Sequence, residues 1–173
     1  DISRREIRRI IDSYDTWYQR IRFGFLLETH NGTTFAHKVS RECRFWLRNI
    51  LGRRTREDVF LAGLPDVARK KIIDIGCNAG FKSLELSCRG AEFVLGVDRN
   101  PVAIQQAEDI AKIYRKSGRP VGNIEFRKIE DMNNHLDLLD DMDIVIACCV
   151  LYHLGPLDRF IDRLLQSKVS TFV

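Results

Sequence analysis

The sequence predicts an α/β fold: a parallel sheet wound with helices on both faces, preceded by a basic, α-rich N-terminal extension. Three observations carry this. From Lys71 onward, short β-branched apolar runs alternate with helical stretches. Those runs are apolar at successive positions rather than at every second one, as strands covered on both faces are. Before Lys71 the dominant rhythm is instead the three-and-four spacing of amphipathic helices.

In order along the chain, Ser3-Arg4-Arg5-Glu6 has the pattern of a capping box. Ile7, Ile10, Ile11, Tyr14, Trp17, Tyr18 and Ile21 then predict one amphipathic helix. Around Asn31-Gly32 two extended arms are expected about a tight turn. Val39, Cys43, Trp46, Leu47, Ile50 and Leu51 form a second helical stripe, stopped by Gly52, and Thr55 and Asp58 open a short third helix. Trp17, Phe45 and Trp46 are expected to be core aromatics. Beyond Lys71 the predicted strands are KIIDI (71–75), EFVLGV (92–97), NIEFRKI (123–129) and DIVIACCV (143–150), with a fifth begun by KVSTFV (168–173). The predicted helices are FKSLELSCRG (81–90), PVAIQQAEDIAKIYRKSG (101–118), a weaker one near Met132–Leu139, and PLDRFIDRLLQS (156–167). The expected division is a helical cap or substrate segment at 1–70 and a core at 71–173. Val173 is apolar and no polar tail follows it, so the expected sheet lacks its C-terminal strands.

Bulk properties narrow the class. The 173 residues are 45% hydrophobic and 30% charged, ordinary for a globular domain. No apolar run approaches the roughly 18 residues of a membrane span, and DISRREIRR is not a secretory leader. The five cysteines (Cys43, Cys77, Cys88, Cys148, Cys149) are odd in number and form no C-x-x-C pair. They predict reduced thiols in a cytoplasmic protein. His30, His37, His135 and His153 lack metal-ligand spacing, and Asp137, Asp140, Asp141 and Asp143 are expected on a solvated face. The net charge of +4 is uneven: residues 1–71 hold 16 Lys/Arg against 9 Asp/Glu, which makes +7, leaving −3 for the rest. Such a front half suits a polyanionic partner, or is a solvated helical surface.

The chemistry is concentrated in IDIGCNAGF, Ile73 to Phe81. Ligands of open parallel sheets bind beyond the carboxyl ends of the strands, at the first strand-to-helix turn. Asp74 ends the first predicted strand there, with Gly76 and Gly80 bracketing the turn. The nicotinamide fingerprint G-x-G-x-x-G is missing its middle glycine, and Asp74 would repel a pyrophosphate. A carboxylate suits a ligand bearing positive charge. Asp98, at the end of GVDRN, is placed to accept from a ribose diol. Glu130 and Asp131 follow the third strand, and ACCVLYHLGP brings Tyr152 and His153 over the mouth of the pocket.

IDIGCNAGF, GVDRN, IEDM and CCVLYHLGP, in this order and spacing, resemble the class I S-adenosylmethionine-dependent methyltransferases over residues 71–173. The resemblance implies a Rossmann-like core with S-adenosylmethionine as cofactor. It implies that Asp74 and Gly76 line the methionine end, that Asp98 holds the ribose, and that Asp131 or Glu130 holds the adenine. The implied cofactor-binding set also takes in Cys77, Asn78, Gly80, Phe81, Arg99 and Cys148. WYQRIRF (17–23) with VLYHLGPLDRF further resembles the wobble-uridine tRNA methyltransferases that transfer a carboxymethyl group, whose loop reads closer to D-x-G-C-G-x-G-Y. That implies a tRNA partner, met by Arg20, Arg22, Arg41 and Arg44, and a cofactor that is S-adenosylmethionine or a carboxylated relative. Tyr152 and His153 are the candidates to orient the acceptor or take its proton. A small-molecule acceptor and a non-catalytic RNA-binding scaffold subunit are the alternatives.

Overall fold

The computed structural model describes residues 2–17, 19, 21–24, 27–29, 43, 47 and 56–173. By internal contacts the chain divides into two units, Ser3–Asp66 and Val67–Val173, the latter together with Asp1–Ile2.

In the first unit, helix α1 spans Arg4–Asp12 and is capped by Ser3, whose Oγ accepts from the Glu6 N–H at 3.2 Å. It is shorter than the apolar stripe predicts. Ser13 Oγ donates to the Ile10 carbonyl at 2.8 Å, the local side-chain bond that competes with helix continuation. Ile7 and Ile11 form its buried face. Trp17 folds back onto its end, where the buried indole N–H donates to Ile11 O at 2.9 Å. Strands β1 (Arg22–Gly24) and β2 (Leu27–Glu28) pair antiparallel, Arg22 opposite Glu28 and Gly24 opposite Leu27. The first predicted arm is therefore itself a hairpin, fixed by Thr29, whose Oγ1 accepts from Ile21 N–H at 2.7 Å. Helix α2 covers Arg56–Gly63. The Asn31-Gly32 turn, Phe45, Trp46, Gly52, Thr55, His30, His37, Tyr18, Arg20, Arg41 and Arg44 lie outside the described residues. So does the second helical stripe, except for Cys43 and Leu47.

In the second unit the elements run β3 (Lys71–Ile75), α3 (Phe81–Cys88), β4 (Phe93–Asp98), α4 (Pro101–Lys116), β5 (Ile124–Lys128), β6 (Ile144–Ile146), α5 (Leu157–Gln166) and β7 (Thr171–Phe172). All five strands are parallel, in the order β5-β4-β3-β6-β7. Successive residues face opposite sides. Ile73, Ile75, Leu95, Val97 and Val145 pack with Leu139, Leu154 and Phe160 in one core cluster, on the α5 side. The alternate face carries Asp74 and Gly96, both against Ser83 of α3. Buried apolar side chains of α3 and α4, among them Leu84, Leu86, Ile110 and Ile113, belong to those covering helices. Each such fully buried side chain contributes about 1.5–3 kcal/mol relative to exposure. Helix α4 starts where Asn100 Oδ1 accepts from Val102 N–H at 3.0 Å and Pro101 presets the first turn.

In this unit two predicted elements and one residue differ. Near Met132–Leu139 the chain forms two 3-10 turns, Met132–Asn134 and Leu136–Leu139, in place of an α-helix. Asp131 initiates the first by accepting from Asn133 N–H at 2.9 Å. DIVIACCV is a strand only over Ile144–Ile146, because Cys149 takes a left-handed φ of 61° that extended pairing cannot accommodate. Asp143 is not a solvated residue: it is half-buried, and its Oδ2 accepts from Lys71 N–H at 2.8 Å, pinning the start of β3. All five cysteines are free thiols. Among the described residues, no helix is long and apolar enough to cross a membrane.

Candidate functional site

The sheet order reverses at β3: the chain steps outward through β4 and β5, then returns to place β6 on β3's other side. A crevice at the carboxyl ends follows from that reversal. The loop after β3 is shaped by positive φ at Gly76 (72°), Asn78 (53°) and Gly80 (76°). A Cβ on Gly76 would lie 2.6 Å from Val150 Cγ2, so only a bare backbone fits beneath the loop that follows β6. One on Gly80 would lie 2.7 Å from Phe126 Cζ and 2.8 Å from Ala107 Cβ. Gly76 and Cys77 both donate their N–H groups to Val97 O, at 2.8 and 3.0 Å, fastening the loop to the end of β4.

Asp74 is 2% exposed, and Ser83 Oγ donates to its Oδ2 at 2.6 Å. Its side chain is thus buried at the end of β3 against α3, with Ser83 as its hydrogen-bond partner. Burial raises its pKa to about 6, against the lowering effects of the Ser83 hydrogen bond and the Lys82 charge. Cys77 is also buried, and desolvation, followed by the Asp74 and Asp98 charges, lifts its thiol well above the usual range. Its side chain is part of the packing under the loop. Asn78 is half-buried, its Oδ1 accepting from Ala79 N–H at 2.7 Å, and Phe81 opens α3 half-buried.

Asp98 clamps the crevice. Its Oδ2 accepts from Asn78 N–H at 3.0 Å and its Oδ1 from Asn100 N–H at 2.9 Å. A carboxylate has about four lone-pair positions, so acceptor capacity remains for a ligand diol. The adjacent Arg99 is exposed. Glu130 is exposed and paired with Lys128 at 2.5 Å, whereas Asp131 caps the first 3-10 turn. Tyr152 and His153 sit on a further 3-10 turn, Leu151–His153, with ring centroids 4.2 Å apart and Tyr152 76% exposed. Cys148 is half-buried at the base of that loop.

These groups do come together at one edge of the sheet. Val150 packs on Gly76, Asp98 binds Asn78, and Ile129 N–H donates to Asp98 O at 3.0 Å. The arrangement is a loop of bare backbone beside an acceptor-rich carboxylate, with Val150, two residues before the exposed Tyr152 ring, packed on that loop. Residue-by-residue reading missed Ser83, Phe126 and Val150. Ser83 had a faint signal, as a small polar residue on the inward stripe of a helix that follows a strand-ending acid. Phe126 and Val150 had none, since only tertiary packing aims them at glycines.

A family model described as a methyltransferase domain matches residues 66–169. The chain belongs to this methyltransferase family. The class I S-adenosylmethionine-dependent resemblance carried by the four motifs is borne out. Relatives of this methyltransferase chain include the tRNA U34 carboxymethyltransferase of Alteromonas mediterranea, 32% identical over 97 residues, 55% of this chain and 28% of that protein. The tRNA U34 carboxymethyltransferase of Mannheimia succiniciproducens is 27% identical over 78% of this chain and 38% of its own length. The methyltransferase chain thus spans about a third of the length of these curated relatives. Its fold is shared with EvdMO1 (TM-score 0.61, 19% identity, 95% of this chain and 33% of that one). It is also shared with a methyltransferase of Thiobacillus denitrificans solved with S-adenosyl-L-homocysteine (TM-score 0.50, 20% identity, 65% and 44%).

Proposed function

We propose that the chain binds S-adenosylmethionine in the crevice at the ends of β3, β4 and β6 and transfers its methyl group to RNA, with tRNA as the acceptor class. The observation that carries the cofactor reading is the pairing of the bare Gly76–Gly80 loop with the Asp98 carboxylate, inside the residues the family model matches. The donor set fits the group. Asp98 oxygens take ribose hydroxyls, the loop backbone admits a close approach, and the buried Asp74 charge favours a cationic ligand above it. When bound, S-adenosylmethionine supplies a methyl on an activated sulfonium, so the chain's task is alignment of the acceptor for in-line displacement. In this reading Tyr152 and His153 orient that acceptor, or take a proton from an acceptor atom that carries one. The +7 charge of residues 1–71 and the tRNA U34 carboxymethyltransferase relatives support the RNA acceptor.

The test of the cofactor reading is thermal. A ligand at about 100-fold over its dissociation constant adds about 2.7 kcal/mol of apparent stability. S-adenosylmethionine or S-adenosylhomocysteine is expected to raise the melting temperature by several degrees, and NADH is not. Asp98→Ala is expected to weaken that binding by about 1.5–3 kcal/mol, the range for hydrogen bonds to a charged group. The same variant loses some stability without ligand, because Asn78 and Asn100 N–H groups lose their acceptor. No shift with either adenosyl compound would sink the reading. Mass spectrometry of ligand carried through purification separates S-adenosylmethionine from a carboxylated relative.

The acceptor is tested by salt. Affinity for tRNA should fall steeply as salt rises, because each neutralised phosphate releases counterions. Arg41→Ala with Arg44→Ala should weaken binding and flatten that slope by up to about two contacts' worth, leaving S-adenosylmethionine affinity unchanged. Binding of tRNA no tighter than of any polyanion points to a small-molecule acceptor instead.

A further inference from the structure

The loops that bracket the crevice belong to strands that are not neighbours. Glu130 and Asp131 follow β5, whereas Tyr152 and His153 follow β6, and β4 and β3 lie between those two strands. No ladder can hold these two loops to each other, so their relative placement must come from outside the sheet. Apolar packing joins them through the core cluster, and one side chain adds a directed hydrogen bond between them. Asn133 is 6% exposed, and its Nδ2 donates to Leu154 O at 2.5 Å. Leu154 directly follows His153, and both Leu154 and Met132, the neighbour of Asn133, are buried in the core cluster on the α5 side.

The direction of this bond is fixed by chemistry. A carbonyl only accepts, so the amide nitrogen must face Leu154, and Oδ1 is buried without a protein partner. A buried polar group retained with half its capacity unmet is costly unless the other half is used. The backbone of Asn133 is fixed separately, by its N–H bond to Asp131 Oδ1 at 2.9 Å. Asp131 therefore holds the turn, and the turn aims the amide across the crevice. With Asn78–Asp98, Asp98–Ile129 and Val150–Gly76, this contact completes a chain of contacts around the site, and it is a hydrogen-bonded link between its two outer loops.

We propose that Asn133 is a positioning residue: by donating to Leu154 O it holds the Tyr152–His153 loop in register with the Glu130–Asp131 loop. The proposal rests on the methyltransferase reading in that these loops are the ones that meet cofactor and acceptor. Asn133 touches neither reactant, and its effect passes through the backbone of Leu154.

The experiment is amide hydrogen exchange on the full chain, with and without S-adenosylhomocysteine. Asn133→Ala should speed exchange at His153 and Leu154 about tenfold, the loss of one net hydrogen bond, while amides of β3 and β4 keep wild-type protection. In wild-type protein, S-adenosylhomocysteine should slow exchange in both loops. In the variant it should slow only the one after β5, an uncoupling that a purely structural role would not produce. Asn133→Leu keeps the volume without the donor, and decides the matter if the alanine variant loosens globally. Wild-type exchange at His153 and Leu154 in a folded variant, or retained protection of both loops by ligand, overturns the proposal. If S-adenosylhomocysteine protects neither loop in wild type, the cofactor reading fails, and the free-chain comparison still judges Asn133.

Discussion

Gly80→Ala is expected to lower the stability of the Val67–Val173 unit by about 3 kcal/mol, with overpacking contributing about 1–3 kcal/mol and left-handed strain about 1–2 kcal/mol. The added Cβ would lie 2.7 Å from Phe126 Cζ and 2.8 Å from Ala107 Cβ. Neither neighbour can yield cheaply. Ala107 is fixed on α4, and the Phe126 ring is already wedged against Gly96, where a Cβ would lie 2.6 Å from Cδ1. Strain and clash separate by comparison with Gly118→Ala. That glycine has nearly the same φ, 75°, but nothing within 4 Å of its would-be Cβ. It should cost only the strain, about 1 kcal/mol. Urea unfolding of both variants checks the pair, and equal losses would show that the slot around Phe126 is not tight.

That slot also shows where reading the sequence stops. The strand-helix alternation from Lys71, the Asn100-Pro101 helix start and the Ser3 cap were legible because each is local: hydrophobic period, capping chemistry and turn residues lie within a few positions. The placement of Gly76, Gly80 and Asp98 at strand ends was legible because a parallel sheet fixes where its strands end. What resisted was anything decided across the fold. The Tyr14-to-Ile21 stripe has helical spacing, yet Ser13 ends α1 with its own hydroxyl. The apolar run of DIVIACCV reads as one strand, yet Cys149 turns left-handed and frees Val150 to cover Gly76. Asp143 looked like one of several solvated acids, and only the register of β3 against β6 gives it the Lys71 N–H. Asp74 closes β3 as its place in the apolar run suggests, but its burial against α3 involves Ser83, nine residues on.

Asp74→Asn is expected to change the pH dependence of stability with a definite sign. The Asp74 carboxyl titrates at about 6 in the folded chain, against 3.8 for an ordinary aspartate, chiefly because burial penalises its charged form. Between those values the folded state binds the proton more tightly than the unfolded state, so wild-type stability falls as pH rises through this window. Below it the group is neutral in both states and the penalty is absent. By about pH 7 the penalty is complete and no longer grows. A displacement of this size corresponds to about 3 kcal/mol in total. Asparagine cannot titrate, so the stability of Asp74→Asn relative to wild type should rise by about 2 kcal/mol from pH 4 to pH 6 and level off by about pH 7. Ser83→Ala in the wild-type background should extend the wild-type fall to higher pH and enlarge it, since the hydroxyl favours the charged form. Urea unfolding of the three proteins at pH 4, 5, 6, 7 and 8 makes the comparison. A relative stability that stays flat across that range would mean Asp74 titrates as a solvated carboxylate, and the dry floor beneath the Gly76–Gly80 loop would have to be abandoned.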